Sequence, residues 1–289
     1  YMPELPEVEV VKKSLEDKLE NLTIKRVFIT NNKLRYKINN KLFKEIEGKK
    51  IISVNRRSKY LLINLNQGLT ILAHLGMTGK FFITDKSNIK QKTSFYYSIE
   101  NSQSKHDHLV LYLSKGFKLI YNDVRKFGFL KILKSKNILI SEHLKFLGPE
   151  PLTKDFNLSY VIKHAINRKI TIKDLMMSQK FVSGLGNIYC NEILFLCKLK
   201  PDKIVKKIKK QQLKNLIKFT KKVLKESILL GGSSIKNFTN TQGKTGNFQQ
   251  NFNVYNREKS KCKRKNCLGT IQKIFTSNRS SFFCPKCQK

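Results

Sequence analysis

Near residue 150 the chain changes its period. Leu147-Gly148-Pro149-Glu150-Pro151-Leu152 brings two prolines and a glycine into six residues. Proline can neither continue a helix interior nor donate to a central strand, so this stretch reads as a linker. Before it, short β-branched or apolar runs stand at 23–30, 51–55, 60–65, 69–74, 95–99, 108–113, 118–121 and 129–133. Turn signals such as Asn66-Gln67-Gly68 and Ser114-Lys115-Gly116 separate them, which predicts an antiparallel sandwich or barrel. After it, helical spacing runs through 157–167, 171–179, 185–197 and 208–230. A further helix opens the chain, with Val8, Val11, Leu15 and Leu19 on one face and Pro6 suited to its first turn. The expected fold is therefore α+β and multidomain: an N-terminal β-sandwich over 3–135, a linker over 136–152, a helical domain over 153–250 and a terminal module over 253–289.

Four of the six cysteines lie in that last module, as Cys262-x₄-Cys267-x₁₆-Cys284-x₂-Cys287. Paired thiols at this spacing suit one tetrahedral Zn²⁺, with disulfides as the alternative. Four thiolates would leave no open position for water, so the zinc would be structural. Cys190 and Cys197 sit in apolar sequence and read as small core residues.

Lysine and arginine number 58 against 20 acidic residues, a net charge of +38. A polyanion partner follows, although abundant Lys, Asn and Ile also fit the product of an AT-rich genome. The sequence has no apolar run long enough for a membrane span and no signal-peptide pattern, and a soluble intracellular protein is expected.

The opening Pro3-Glu4-Leu5-Pro6-Glu7-Val8-Glu9 carries potential chemistry. With Tyr1 and Met2 removed, Pro3 would present a secondary α-amine, whose reference pKa lies near ~8, below that of lysine. Such an amine attacking a sugar C1′ yields an iminium that serves as an electron sink, and Glu4 can move protons beside it. A Pro-capped helix start is the plainer reading. Other stretches are similarly two-sided. Arg56-Arg57-Ser58-Lys59-Tyr60-Leu61-Leu62 is also a basic hairpin tip. His74-Leu75-Gly76-Met77-Thr78-Gly79 presents a methionine that also suits a core. Lys105-His106-Asp107-His108 places two histidines at strand spacing, a weak metal signal without a third ligand. Asp123-Val124-Arg125-Lys126-Phe127-Gly128 offers a guanidinium and an exposed ring, or an ordinary basic hairpin. Lys180–Tyr189 contains Gly184, Gly186 and Asn187, where Asn187 can cap the next helix and its amides face an anion, or form a plain turn.

Together, in this order, these motifs resemble bacterial formamidopyrimidine-DNA glycosylases, base-excision enzymes that remove oxidised purines and nick the strand. The resemblance spans nearly the whole chain and implies a catalytic sandwich, a helix–two-turn–helix domain and a C-terminal β-hairpin zinc finger, with double-stranded DNA containing an oxidised base in the basic cleft. It implies Pro3 as nucleophile and Glu4 as proton carrier, with Lys59 and Arg279 assisting at phosphates. Met77, Arg125 and Phe127 would fill the gap left by an extruded base. His106, Arg168, Lys173 and Asn187 would contact DNA, and Lys236 and Phe238 would belong to a loop closing over the base. By the same match Cys262, Cys267, Cys284 and Cys287 hold the zinc. The family usually has two residues between the first two cysteines, against four here, and Val124 and Lys126 replace a proline and an arginine.

The expected activity is removal of 8-oxoguanine and formamidopyrimidines, then β,δ-elimination, by a monomer in a bacterial cytoplasm or an organelle of bacterial origin. The rivals are an oxidised-pyrimidine glycosylase of the same superfamily, a damaged-DNA-binding protein made inert by a blocked Pro3, and a regulator reading sequence through its finger. The finger lacks a recognisable reading helix, which disfavours the last.

Overall fold

The computed structural model describes residues 2–86, 89–94, 103–233, 248–276 and 278–289. The chain divides into two compact units, Tyr1–Lys145 with Ile228–Asn247, and Phe146–Ser227 with Phe248–Lys289.

The first unit begins with α1 (Leu5–Leu19) and continues through nine strands and a short helix. These are β1 (Ile24–Ile29), α2 (Asn40–Lys44), β2 (Ile51–Arg57), β3 (Tyr60–Leu65), β4 (Leu69–His74), β5 (Gly79–Thr84), β6 (Lys90–Lys92), β7 (Asp107–Leu113), β8 (Lys118–Asp123) and β9 (Phe129–Lys134). One antiparallel sheet has the order β1-β7-β8-β5-β6 and the other β2-β3-β4-β9. Val8, Val11, Leu15 and Leu19 of α1 share one buried core with Val54, Leu61 and Ile71 of one sheet and Phe81, Leu111 and Tyr121 of the other. This is the expected sandwich, with the opening helix packed into it.

Both quoted turn signals fall at hairpin bends. Asn66–Gly68 joins β3 to β4 with Gln67 at φ 59°, and Ser114–Gly116 joins β7 to β8 with Lys115 at φ 59°. The following Gly68 and Gly116 also have positive φ, which glycine adopts without a Cβ penalty. Three elements escape the sequence reading. β5 follows the Gly76–Gly79 turn so closely that it reads as loop. β6 is three polar residues, Lys90–Lys92, and α2 is a single capped turn with no second apolar repeat. The strand expected at 95–99 lies outside the described residues.

The second unit holds α3 (Leu158–Ala165), α4 (Ile172–Met177), α5 (Asn187–Leu196) and most of α6 (Lys210–Leu229), followed by the hairpin β10 (Gln272–Thr276) and β11 (Arg279–Phe283). Asn157 and Thr171 cap α3 and α4 through their side chains. α5 is capped by Gly186, not by Asn187, which is the first residue inside the helix. Among the described residues no helix is long and apolar enough to cross a membrane.

Candidate functional site

Pro3 and Glu4 are buried at the start of α1, and Met2 ahead of them is exposed. Glu4 is the N-cap, and its backbone N–H donates to Glu7 Oε2 at 2.9 Å. The other oxygen of Glu7 accepts the backbone N–H and the hydroxyl of Ser233, both at 2.8 Å. Gly232 permits this approach: at φ +80° its Cβ would stand 3.2 Å from Glu7 Oε1. The fully buried Glu7 thus fastens α1 to Ser233. Lys236 and Phe238 lie outside the described residues. In this chain the Pro3 nitrogen is in amide linkage to Met2, and nucleophilicity requires that bond to be cut.

Lys59 sits in the β2–β3 turn beside Ser58, whose φ is 57°. Arg56 ties that turn to α1, pairing with Glu9 at 2.6 Å and donating to the Ser58 carbonyl at 2.9 Å. Lys59 is itself largely buried, and its charge reaches His74. Burial, then Lys59, Arg35 and His143, push the His74 pKa down to about 4. The neutral ring accepts the Gly76 N–H at Nδ1, 3.1 Å away, and so holds the turn that carries Met77.

The Met77 turn and the Arg125–Phe127 turn are wedged together. A Cβ on Gly76 would meet the Phe127 and Gly128 backbone at 2.5 Å, and one on Gly128 would meet the Tyr121 hydroxyl at 1.9 Å. Asp123, fully buried, binds both turns. Its carboxylate accepts from the Thr78 hydroxyl and from Gly128 N–H at 2.8 Å, and the Thr78 hydroxyl in turn accepts the Arg125 N–H at 2.9 Å. The Arg125 guanidinium lies 4.7 Å from the Phe127 ring centroid, and both side chains are exposed. Met77, Arg125 and Phe127 therefore share one open cavity of about 560 Å³ with Met2, Arg35 and His74. An apolar tip, a guanidinium and a ring on one rim can fill space in a base stack and bond to base edges.

His106 ends a 3₁₀ turn (Ser104–His106) and is partly exposed, whereas Asp107 and His108 are buried. The two histidines do not share a face. Asp107 is held by Lys90 and Asn122, and the described residues offer no metal site here.

In the second unit Arg279 is exposed where the β10–β11 hairpin turns back, and Arg168 is exposed between α3 and α4. Asn187 donates to the Ser280 carbonyl at 3.1 Å. Lys173 departs from the sequence expectation. It is 1% exposed, and its ammonium donates to Ser280 O at 3.0 Å and Ser281 Oγ at 2.6 Å. It supports the hairpin from beneath instead of facing a phosphate, because the α4 position that reads as basic surface points inward. Asn191 accepts the Phe282 N–H at 2.7 Å, and Glu192 accepts those of Asn253, Val254 and Tyr255 at 2.8–3.0 Å.

The sulfurs of Cys262, Cys267, Cys284 and Cys287 all lie within 4.8 Å of one another. Cys262 and Cys287 are 3.9 Å apart, Cys267 and Cys284 3.6 Å. Tetrahedral Zn–S bonds of about 2.3 Å require sulfurs roughly 3.8 Å apart, whereas a disulfide requires about 2.05 Å. The four-residue spacer is thus compatible with a zinc-sized cradle, and Gly269 makes room for it: a Cβ there would lie 2.5 Å from Cys284 Sγ. Glu7, Glu9, His74, Asp123 and Glu192 were missed as positioning residues. All of these but Glu192 stand inside the motifs named above, but sequence does not show which polar members are buried.

Residues 2–130 match the Formamidopyrimidine-DNA glycosylase N-terminal domain, and residues 147–239 match the Formamidopyrimidine-DNA glycosylase H2TH domain. The formamidopyrimidine-DNA glycosylase of Rickettsia felis is 42% identical over 99% of this chain and 98% of its own. Lactococcus lactis Fpg in complex with an abasic site containing DNA superposes with a TM-score of 0.85 at 32% identity, covering 99% of each chain. A mutant of the same protein with a Fapy-dG containing DNA gives 0.86 at 32% identity, over 99% of this chain and 100% of that one.

Proposed function

The chain belongs to the formamidopyrimidine-DNA glycosylase family, and from that premise we propose that Pro3 is the nucleophile of a base-excision glycosylase and AP lyase acting on oxidised purines. The observation that carries this reading is the shared cavity. Met2, the residue whose removal would free the Pro3 amine, lines the same space as Met77, Arg125 and Phe127. Nucleophile and gap-filling side chains are thus supplied together by the first unit.

Met77, Arg125 and Phe127 hold the gap while the damaged base is extruded, Arg125 facing the orphaned partner base. The Pro3 nitrogen attacks C1′ and the C1′–base bond breaks, the base leaving with the bonding pair and a proton. Ring opening gives the iminium, which acidifies C2′. Loss of a C2′ proton expels the 3′-phosphate, and a second elimination expels the 5′-phosphate. Glu4 moves protons at the sugar. Lys59 and Arg279 position phosphates, and His106, Arg168 and Asn187 add contacts to the strand. Cys262, Cys267, Cys284 and Cys287 would hold one Zn²⁺, which supplies folding energy to the hairpin and takes no part in the chemistry. The protein acts as a monomer on duplex DNA, in the compartment of a bacterial chromosome.

Borohydride trapping on a duplex carrying 8-oxoguanine opposite cytosine tests this. Protein with a free Pro3 amine should form a covalent adduct that maps to Pro3. A free Pro3 amine, salt-sensitive binding and no adduct would leave a damaged-DNA-binding protein and remove the lyase.

A further inference from the structure

The second histidine of Lys105-His106-Asp107-His108 has a role that neither a metal nor a DNA contact supplies. His108 is the extra residue of a β-bulge. β7 pairs with β8 at Asp107↔Asn122 and again at Leu109↔Tyr121, and the register slips between them. A bulge re-aims a side chain. Here the imidazole is 1% exposed. Its Nδ1 lies 3.0 Å from the carbonyl oxygen of Asn31, in the loop after β1, and its Nε2 lies 2.9 Å from the carbonyl oxygen of Asp123, at the end of β8. A carbonyl oxygen only accepts, and a neutral imidazole can donate from one nitrogen alone. With one proton, the other nitrogen would set a lone pair against a carbonyl in a buried site, which is costly.

We propose that His108 is a buried imidazolium, protonated on both nitrogens at neutral pH, and the positioning residue that anchors the Arg125–Phe127 turn. Its two bonds tie the Asp123 main chain to the loop after β1. The Asp123 side chain in turn holds Thr78 and Gly128, one on each gap-filling turn. The elements bonded to the ring and those beside them carry charged groups of both signs. From β8 comes the fully buried Asp123 carboxylate, on the residue whose carbonyl takes the bond. On β7 itself, Asp107 is engaged with Lys90 and Asn122. The Tyr121 hydroxyl of β8 and Lys80 of β5 act on Asp123. The loop after β1 presents the Asn31 carbonyl.

The functional half of this proposal rests on the reading above; the protonation half does not, and one experiment separates them. Full-length protein labelled with ¹⁵N at its five histidines is observed by long-range ¹H–¹⁵N correlation at about pH 7, with His108→Gln as the assignment control. Both His108 nitrogens should be protonated; a nitrogen with an unprotonated signature overturns the proposal whatever the enzyme does. Single-turnover excision of 8-oxoguanine opposite cytosine should fall about tenfold in His108→Gln, the scale of losing a charge-assisted hydrogen bond. Borohydride trapping at a preformed abasic site, which has no base to extrude, should change less than about twofold. Equal loss in both assays, or loss in neither, overturns the positioning role. Absence of excision by the wild type would sink the enzyme reading and leave the spectrum to decide the imidazolium.

Discussion

The Met77 and Arg125–Phe127 turns of the first unit and the cysteine hairpin of the second each hold a few side chains still, by different means. The turns carrying Met77, Arg125 and Phe127 rest on a sandwich whose core draws on two sheets and α1, and are fixed by the buried Asp123 carboxylate. Among the described residues, the hairpin carrying Arg279 rests on a small cluster, Phe195, Val254, Cys262, Ile271, Phe282 and Cys284, which includes two candidate metal ligands. A segment this short cannot bury enough apolar surface to order itself, and a metal held by the four thiols would supply what the core lacks. The first site should therefore be robust to chelation and sensitive to its hydrogen bonds, the second the reverse.

The largest effect should come from the metal. A structural zinc site contributes on the order of 10 kcal/mol to folding of such a segment. Chelation, or Cys284→Ser, should abolish hydrogen-exchange protection in 272–283 while leaving 60–65 and 69–74 protected, and binding to damaged duplex should fall by about a hundredfold or more. Protection persisting in the metal-free hairpin would erase the contrast between the two regions.

Next in size is Asp123→Asn. The amide cannot accept from both the Thr78 hydroxyl and Gly128 N–H, and it turns an N–H group towards one of them. A cost of about 3 kcal/mol is expected from the lost charged acceptor. Urea unfolding should show it in the first unit, with excision of 8-oxoguanine reduced more than binding to an abasic site. A variant as stable as wild type would mean that steric jamming at Gly76 and Gly128 holds the turns without the carboxylate.

Lys173→Met should cost about 2 kcal/mol, because a buried ammonium with two acceptors in the hairpin is lost. Its salt dependence separates it from a phosphate contact. Arg279→Ala should reduce the log–log salt slope of DNA binding by about 1, whereas Lys173→Met should leave the slope unchanged. A reduced slope in Lys173→Met would restore the surface role that the sequence suggested.

These cases show what the sequence made legible. Period and turn chemistry announce the sandwich, the helices and two hairpin bends, because those signals are local. The cysteine spacing announces a metal cradle for the same reason. Burial of a polar residue is not local. Lys173 looks like its exposed basic neighbours, Asp123 and His108 look like ordinary members of polar motifs, and the bulge that turns His108 inward depends on the partner strand. Strand spacing does not put the two histidines of Lys105–His108 on one face, because His106 ends a 3₁₀ turn and His108 is turned inward at that bulge.

The smallest effect sharpens the comparison within the first unit, where two histidines support the same turns in opposite charge states. His108 donates twice, whereas His74 must be neutral to accept from Gly76. Burial, Lys59, Arg35 and His143 bring His74 down to about 4, from the usual 6.5. Because the unfolded chain takes up that proton first, this contribution to stability is complete above about pH 6.5 and is lost as pH falls towards 4. Partial exposure of the ring discounts the full linkage value, leaving about 1 kcal/mol. Asn at this position keeps an acceptor near the place of Nδ1 and does not titrate. The difference in unfolding free energy between wild type and His74→Asn should therefore be flat above neutrality and shift by about 1 kcal/mol against the wild type across the acid range. A difference that stays constant down to about pH 4 would show that the ring is already charged in the folded protein, and would remove the Gly76 contact from the support of the Met77 turn.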